Sequence, residues 1–207
     1  MKLNHQLLLN DKKFKIIQCE NEYIVHPIAF GIIPTAQSLS DPFFIGTFQI
    51  KGFQLLLLHL NIPSEGLCPV INGVTAKSIE TIDGMEFKQY YDINQPLHYT
   101  GSITIADDFV KDYSMNDTGQ APCFCYKCIL ELIFEDGILI TTIDHSRDML
   151  RIRKNIELGL RSLSKKRDFR CIEHFIKSTF IGNYKPFSSP KKSKKYLNKM
   201  KKQYNKK

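Results

Sequence analysis

The apolar residues of this chain change period once, at Ser146. Before it lie short runs rich in aromatic and β-branched residues. After it, Met149, Ile152, Ile156, Leu160 and Leu163 step by three and four, the spacing of one helix face. A period of two and a period of 3.6 cannot share one layer, so the chain must set a sheet against helices.

The strand-like runs are residues 14–19, 23–28, 44–50, 53–60, 85–91 and 99–106. Turn formers separate them, among them Gly52, Pro63-Ser64, Asp83-Gly84 and Asn94-Gln95-Pro96. The strongest local signal is Asp136-Gly137 between the apolar runs 128–134 and 138–143, which predicts a tight hairpin. Residues 107–113 read as a helical turn, with Asp107-Asp108 at its N-terminus.

Ser146 or Asp144 is expected to cap the first helix. A second helix is predicted over 166–180, where Phe169, Ile172, Ile176 and Phe180 line up and Gly182-Asn183 follow. The resulting fold class is α+β. A mainly antiparallel sheet over 12–145 is packed by an amphipathic helix pair at 146–180, within one domain of residues 1–184. Residues 185–207, with ten Lys and no acid, form a low-complexity tail expected to be disordered in solution.

Charge divides at the same place. Residues 1–145 hold 9 Lys and 17 acids, a balance of −8. Residues 146–207 hold 14 Lys, 6 Arg and 4 acids, a balance of +16. All six arginines fall between Arg147 and Arg170. Arg147, Arg151, Lys154, Arg161 and Lys165 repeat at helical steps opposite the apolar stripe of the first helix. Arg167, Arg170, His174 and Lys177 do so on the second. Such a surface predicts an anionic partner, because cations so crowded repel one another unless counter-charge is near.

The leading expectation is a non-enzymatic nucleic-acid-binding or accessory protein holding the phosphate backbone of DNA or RNA. Its contacts would be those helical cations, aided by Lys191, Lys192, Lys194 and Lys195 of the tail. An acidic macromolecular surface is the related partner. A second reading, of another class, is a protein-interaction module such as an inhibitor or immunity protein, with the acidic front as its working surface.

A third reading is a Mg²⁺-dependent nuclease. Asp144 and Glu131 would be its central acids, with Glu135, Lys127 and the Asp107-Asp108-Asp112 group as further candidates. No Gly-rich phosphate loop is present. His26, His59 and His98 lie in strand-like runs and read as hydrogen-bonded strand residues, while His5 reads as terminal and exposed.

Cys125, Cys128, Cys171 and His174 have spacings that reach one zinc ion, which would staple the helices to the hairpin. Six cysteines in 207 residues is not the density of a disulfide-stapled domain, so reduced thiols are expected. The run 53–60 is interrupted by Gln54 and His59 and is too short for a membrane span. Leu7-Leu8-Leu9 is too short for an export signal. These features predict a soluble, cytoplasmic protein.

Overall fold

The structure, a computed structural model, describes residues 5–21, 23–33, 44–64, 67–80, 86–110, 121–159 and 165–182. The strands are β1 (Gln6–Leu9), β2 (Lys12–Cys19), β3 (Ile45–Lys51), β4 (Gln54–Pro63) and β5 (Lys77–Glu80). They continue with β6 (Glu86–Tyr90), β7 (Gln95–Pro96), β8 (Gly101–Phe109), β9 (Tyr126–Glu135) and β10 (Ile138–Asp144). The helices α1 (Ser146–Glu157) and α2 (Lys165–Thr179) follow.

The sheet runs β10-β9-β8-β2-β1-β3-β4, and β4 meets β10 again, closing a seven-stranded barrel. An odd number of strands cannot close with antiparallel pairs alone. One parallel pair is required, and β1 with β3 supplies it. Closure is confined to a single pair, Ile138 with Gln54. Farther along, the same edge of β4 is taken by β7 at Leu56 and Leu57 and by β6 from Leu60 to Pro63.

Tight two-residue turns set the register. Asn10 and Asp11, both at positive φ, join β1 to β2, and Asp136-Gly137 joins β9 to β10 as the sequence predicts. Gly137 is also the closing point of the barrel. Its N–H donates to Tyr99 O and its carbonyl accepts from Leu55 N, each at 2.8 Å.

Alternate residues of the barrel strands fill one core, including Leu7, Phe14, Ile16, Phe48, Leu57, Ile105, Leu132 and Phe134. A second core lies outside it. Ile17, Ala106 and Ile129 meet Met149, Ile152 and Ile156 of α1 and Ile172, Ile176 and Phe180 at α2. Adjacent strand residues point to opposite faces, so Ile16 and Ile17 serve the two cores, and a bulge leaves Ile17 without a register partner in β8. The helices therefore pack on the outer face of β2, β8 and β9, and an α+β mixture of mostly strand results.

Several expectations fail for local reasons. Residues 23–28 do not form a strand. Pro27–Phe30 is a 3-10 turn whose start is capped by His26 Nδ1 accepting from Ile28 N, and Gly31 at φ 74° ends it. β1 lacks alternation in the sequence and exists through its pairing with β2 and β3.

Asp107 and Asp108 do not begin a helix, because β8 continues to Phe109 and Asp107 pairs with Lys12 at 2.8 Å. α1 ends at Glu157, with Gly159 at φ 74° beyond it; Leu160 and Leu163 lie outside the described residues. The predicted tail and Asp112 also lie outside them. Among the described residues, no helix is long and apolar enough to cross a membrane.

Candidate functional site

The helical side of the barrel carries two polar features, one buried and one exposed. The buried one centres on Glu131, on the outer face of β9 and 0% exposed. Its Oε2 accepts from His145 Nε2 at 2.9 Å and from Ile181 N at 3.1 Å, and its Oε1 accepts from Gly182 N at 2.7 Å. His145 closes the corner between β10 and α1, and Phe180 lies over its ring with centroids 4.1 Å apart.

Glu131 thus ties both helices to the barrel wall. Burial works against its charge, but the hydrogen bonds from His145, Gly182 and Ile181 prevail and hold the carboxyl below its usual range. Gly182 approaches the wall so closely that a Cβ there would lie 1.7 Å from Ser102 Oγ. Its predicted role as a helix terminator is therefore a close-contact role, three residues after α2 has ended.

Arg153 is the second buried ion. It departs from the cationic stripe, and its Nη1 donates to Phe124 O at 3.0 Å and to Tyr126 O at 2.5 Å. It satisfies carbonyls at the start of β9 that α1 covers. Arg153→Met should therefore lower the urea-unfolding free energy by about 2 kcal/mol through two orphaned carbonyls. The exposed Arg151→Met should stay within about 0.5 kcal/mol of the parent.

The exposed feature is the outer face of the helices. Arg147, Arg151 and Lys154 on α1 and Arg167, Arg170 and Lys177 on α2 all stand exposed. Arg151 lies 3.5 Å from Asp148 and Lys177 lies 3.0 Å from Glu173, both contacts within a helix and at the surface. Arg167 and Arg170 line a shallow groove of about 390 Å³ with Cys171, His174, Phe175 and Ser178. Of the other predicted phosphate contacts, Arg161 and the tail lysines Lys191, Lys192, Lys194 and Lys195 lie outside the described residues, as does the side chain of Lys165.

The structure does not gather the predicted zinc ligands. Cys125 sits buried in the second core, where burial pushes its thiol upward, away from the thiolate that binds metal. Cys128 is half-buried, whereas Cys171 and His174 stand on the exposed face of α2. Among the described residues no three His, Cys, Asp or Glu side chains are grouped to hold a metal ion.

The nuclease acids are likewise placed for structure. Glu131 is sealed beneath the turn that follows α2, and Asp144 Oδ1 accepts from Ser146 N at 2.8 Å. The N-cap of α1 is His145, without a side-chain capping bond, so neither Asp144 nor Ser146 is the cap that the sequence predicts. Lys127 and Glu135 are exposed, at the start and the end of β9. His5 is buried rather than exposed. Its Nδ1 accepts from Gly46 N at 2.9 Å between Phe44 and Phe48, and burial pulls its pKa down to about 4.

His59 accepts from Asp92 N, and His98 lies exposed beside Asp136. Sequence reasoning missed Arg153 and the role of Glu131. The available signals were an arginine next to the apolar Ile152 and a lone acid inside an apolar strand. No protein-family model, curated protein or solved structure matches the chain.

Proposed function

We propose that this protein binds nucleic acid non-enzymatically, gripping the phosphate backbone with the outer faces of α1 and α2. The observation that carries this reading is that both helices bury their apolar sides in one core on one side of the barrel. Their outward cations are thereby directed away from that side, anchored in orientation by Glu131 and Arg153. The outer face of α1 shows three exposed cations against Asp148 and Glu157, and that of α2 shows three against Asp168 and Glu173, so each face keeps a net positive charge.

Arginine's planar fork suits phosphate better than lysine's point charge, and four arginines stand exposed here. Binding would be driven by release of condensed counterions and would be largely indifferent to base sequence. The nuclease reading gains nothing from a Glu131 that solvent cannot reach. The reading as an inhibitor through an acidic front has no particular cluster of described acids to favour it.

Fluorescence anisotropy with labelled duplex DNA, duplex RNA and single strands, between 50 and 200 mM salt, tests the proposal. With four phosphate contacts, affinity should fall on the order of 100-fold over that range. Replacing Arg147, Arg151, Arg167 and Arg170 by Gln should flatten the slope by about 3 to 4. Affinity that ignores salt, or survives the fourfold replacement, defeats it.

A further inference from the structure

We infer that the groove on α2 takes one unpaired nucleotide, so that the preferred partner is a strand carrying a base outside its stack rather than a fully paired duplex. This rests on the backbone-binding reading and names the class of nucleic acid that it leaves open. The described residues that line the groove, Arg167, Arg170, Cys171, His174, Phe175 and Ser178, share the i, i+3, i+4 spacing of one face of α2. Its volume, about 390 Å³, falls in the range of small-ligand pockets. A phosphate backbone lying across α2 would meet the guanidinium groups without filling that space.

The lining divides into a phosphate end and a base end. Arg167 and Arg170 are both exposed and stand about 4.5 Å apart along the helix axis, so their guanidinium groups can converge on one phosphate. The acids of α2, Asp168 and Glu173, do not line the groove, and Glu173 is held by Lys177 at 3.0 Å. The cationic end therefore keeps its charge for an anion. Phe175 lies about 7.5 Å beyond Arg170 along the axis, a span that one nucleotide covers from phosphate to base.

Phe175 supplies the surface that a base needs. It is half-buried, packs against the second core and also lines the groove. A ring fixed from behind loses little further rotamer freedom when a base is laid on it. His174, exposed beside it, adds a second planar ring. Stacking on an aromatic ring accepts any base, in keeping with binding that is indifferent to sequence. A base inside a duplex has both faces covered by its neighbours, so only an unpaired one can enter.

Fluorescence anisotropy with the full chain and three labelled hairpins, made in RNA and in DNA, provides the test. One hairpin is fully paired, one carries a single unpaired adenine nucleotide, and one carries an abasic residue in its place. The wild type should bind the adenine bulge about tenfold more tightly than either of the others, the contribution of one stacked base. Phe175→Leu keeps an apolar side chain against the core but no flat ring. Cys171→Leu, at an exposed position one turn away, fills the groove. Each should bring the three affinities together while the paired hairpin keeps its affinity and salt slope, and Phe175→Tyr should retain the preference.

Unchanged thermal melts would show that the variants fold. Equal wild-type affinity for the three hairpins overturns the proposal, and a salt-dependent affinity for the paired one then leaves the backbone reading standing. An abasic bulge bound as tightly as the adenine bulge overturns it too, as does a preference that survives both leucine variants. A chain that binds no hairpin at any salt overturns both.

Discussion

Glu131→Ala is expected to lower the unfolding free energy by about 3–5 kcal/mol, the cost of removing a buried carboxylate and leaving its three hydrogen-bonding partners unsatisfied. The loss leaves the amides of Ile181 and Gly182 without their acceptor and the His145 ring without its partner. Domains of ordinary stability hold about 5–15 kcal/mol in total, so this single change removes a large share. Glu131→Gln keeps an acceptor oxygen and much of the shape, and should cost about 1–2 kcal/mol. Urea unfolding followed by circular dichroism separates the two. With no tryptophan in the chain, tyrosine fluorescence provides a second probe. In Glu131→Ala the helical signal should be lost before the tyrosine signal, because the clamp holds α2 while Tyr90 and Tyr99 sit in the barrel core.

The same carboxylate predicts a pH dependence. Its folded pKa lies below the ordinary value of 4.5, so its contribution is fully present above about pH 4.5. It is lost as pH falls through the lower folded value. His5 acts in a different window. Its folded pKa of about 4 lies below the ordinary 6.5, so its contribution begins to fade below 6.5 and is gone below 4. Thermal melts from pH 7 to 3 should therefore fall in two stages. Glu131→Gln should keep the first stage and flatten the second. A Glu131→Gln profile parallel to the wild type down to pH 3 would show that the carboxylate carries no such charge-dependent stability.

Gly137→Ala carries the other large effect, about 2–5 kcal/mol. Gly137 stands at φ 80°, where an L side chain is strained, and an added Cβ would lie 1.8 Å from Leu97 O. Because Gly137 bonds both Tyr99 and Leu55 across the seam, relief of the clash must separate β10 from β4. Hydrogen exchange should then accelerate first at the Leu55 and Leu139 amides, which bond across that seam. Gly52→Ala is the control. Its φ is also positive, at 63°, yet nothing lies within 4 Å of its added Cβ, so it should cost only about 1–2 kcal/mol.

The parts legible in the sequence were those written in near neighbours. The Asp136-Gly137 hairpin and the apolar stripe Met149, Ile152 and Ile156 depend on residues no more than seven positions apart. β1 was not legible, since three leucines in a row carry no period until β2 and β3 flank them. Residues 23–28 misled because aromatic and β-branched content outweighed one proline and a histidine that caps its own turn. The exposed cations of the candidate interface were readable as stripes on α1 and α2. Arg153 was not, because only the carbonyls of Phe124 and Tyr126, more than 25 residues away, make its burial tolerable.

By itself the sequence determined the division into strand-rich front and helical rear, the turns at Gly52 and Asp136-Gly137, and the segregation of charge, because period, turn chemistry and composition act locally. The predicted turn at Asn94-Gln95-Pro96 instead gives strand β7, paired with β4. Tertiary structure alone decided that the sheet closes through a parallel pair. It also decided that Glu131 and Arg153 turn inward while their charged neighbours turn out. An ion can leave water only where donors or acceptors from elsewhere replace its hydration. For Glu131 that partner is Gly182, 51 residues along the chain, a distance over which no local pattern extends.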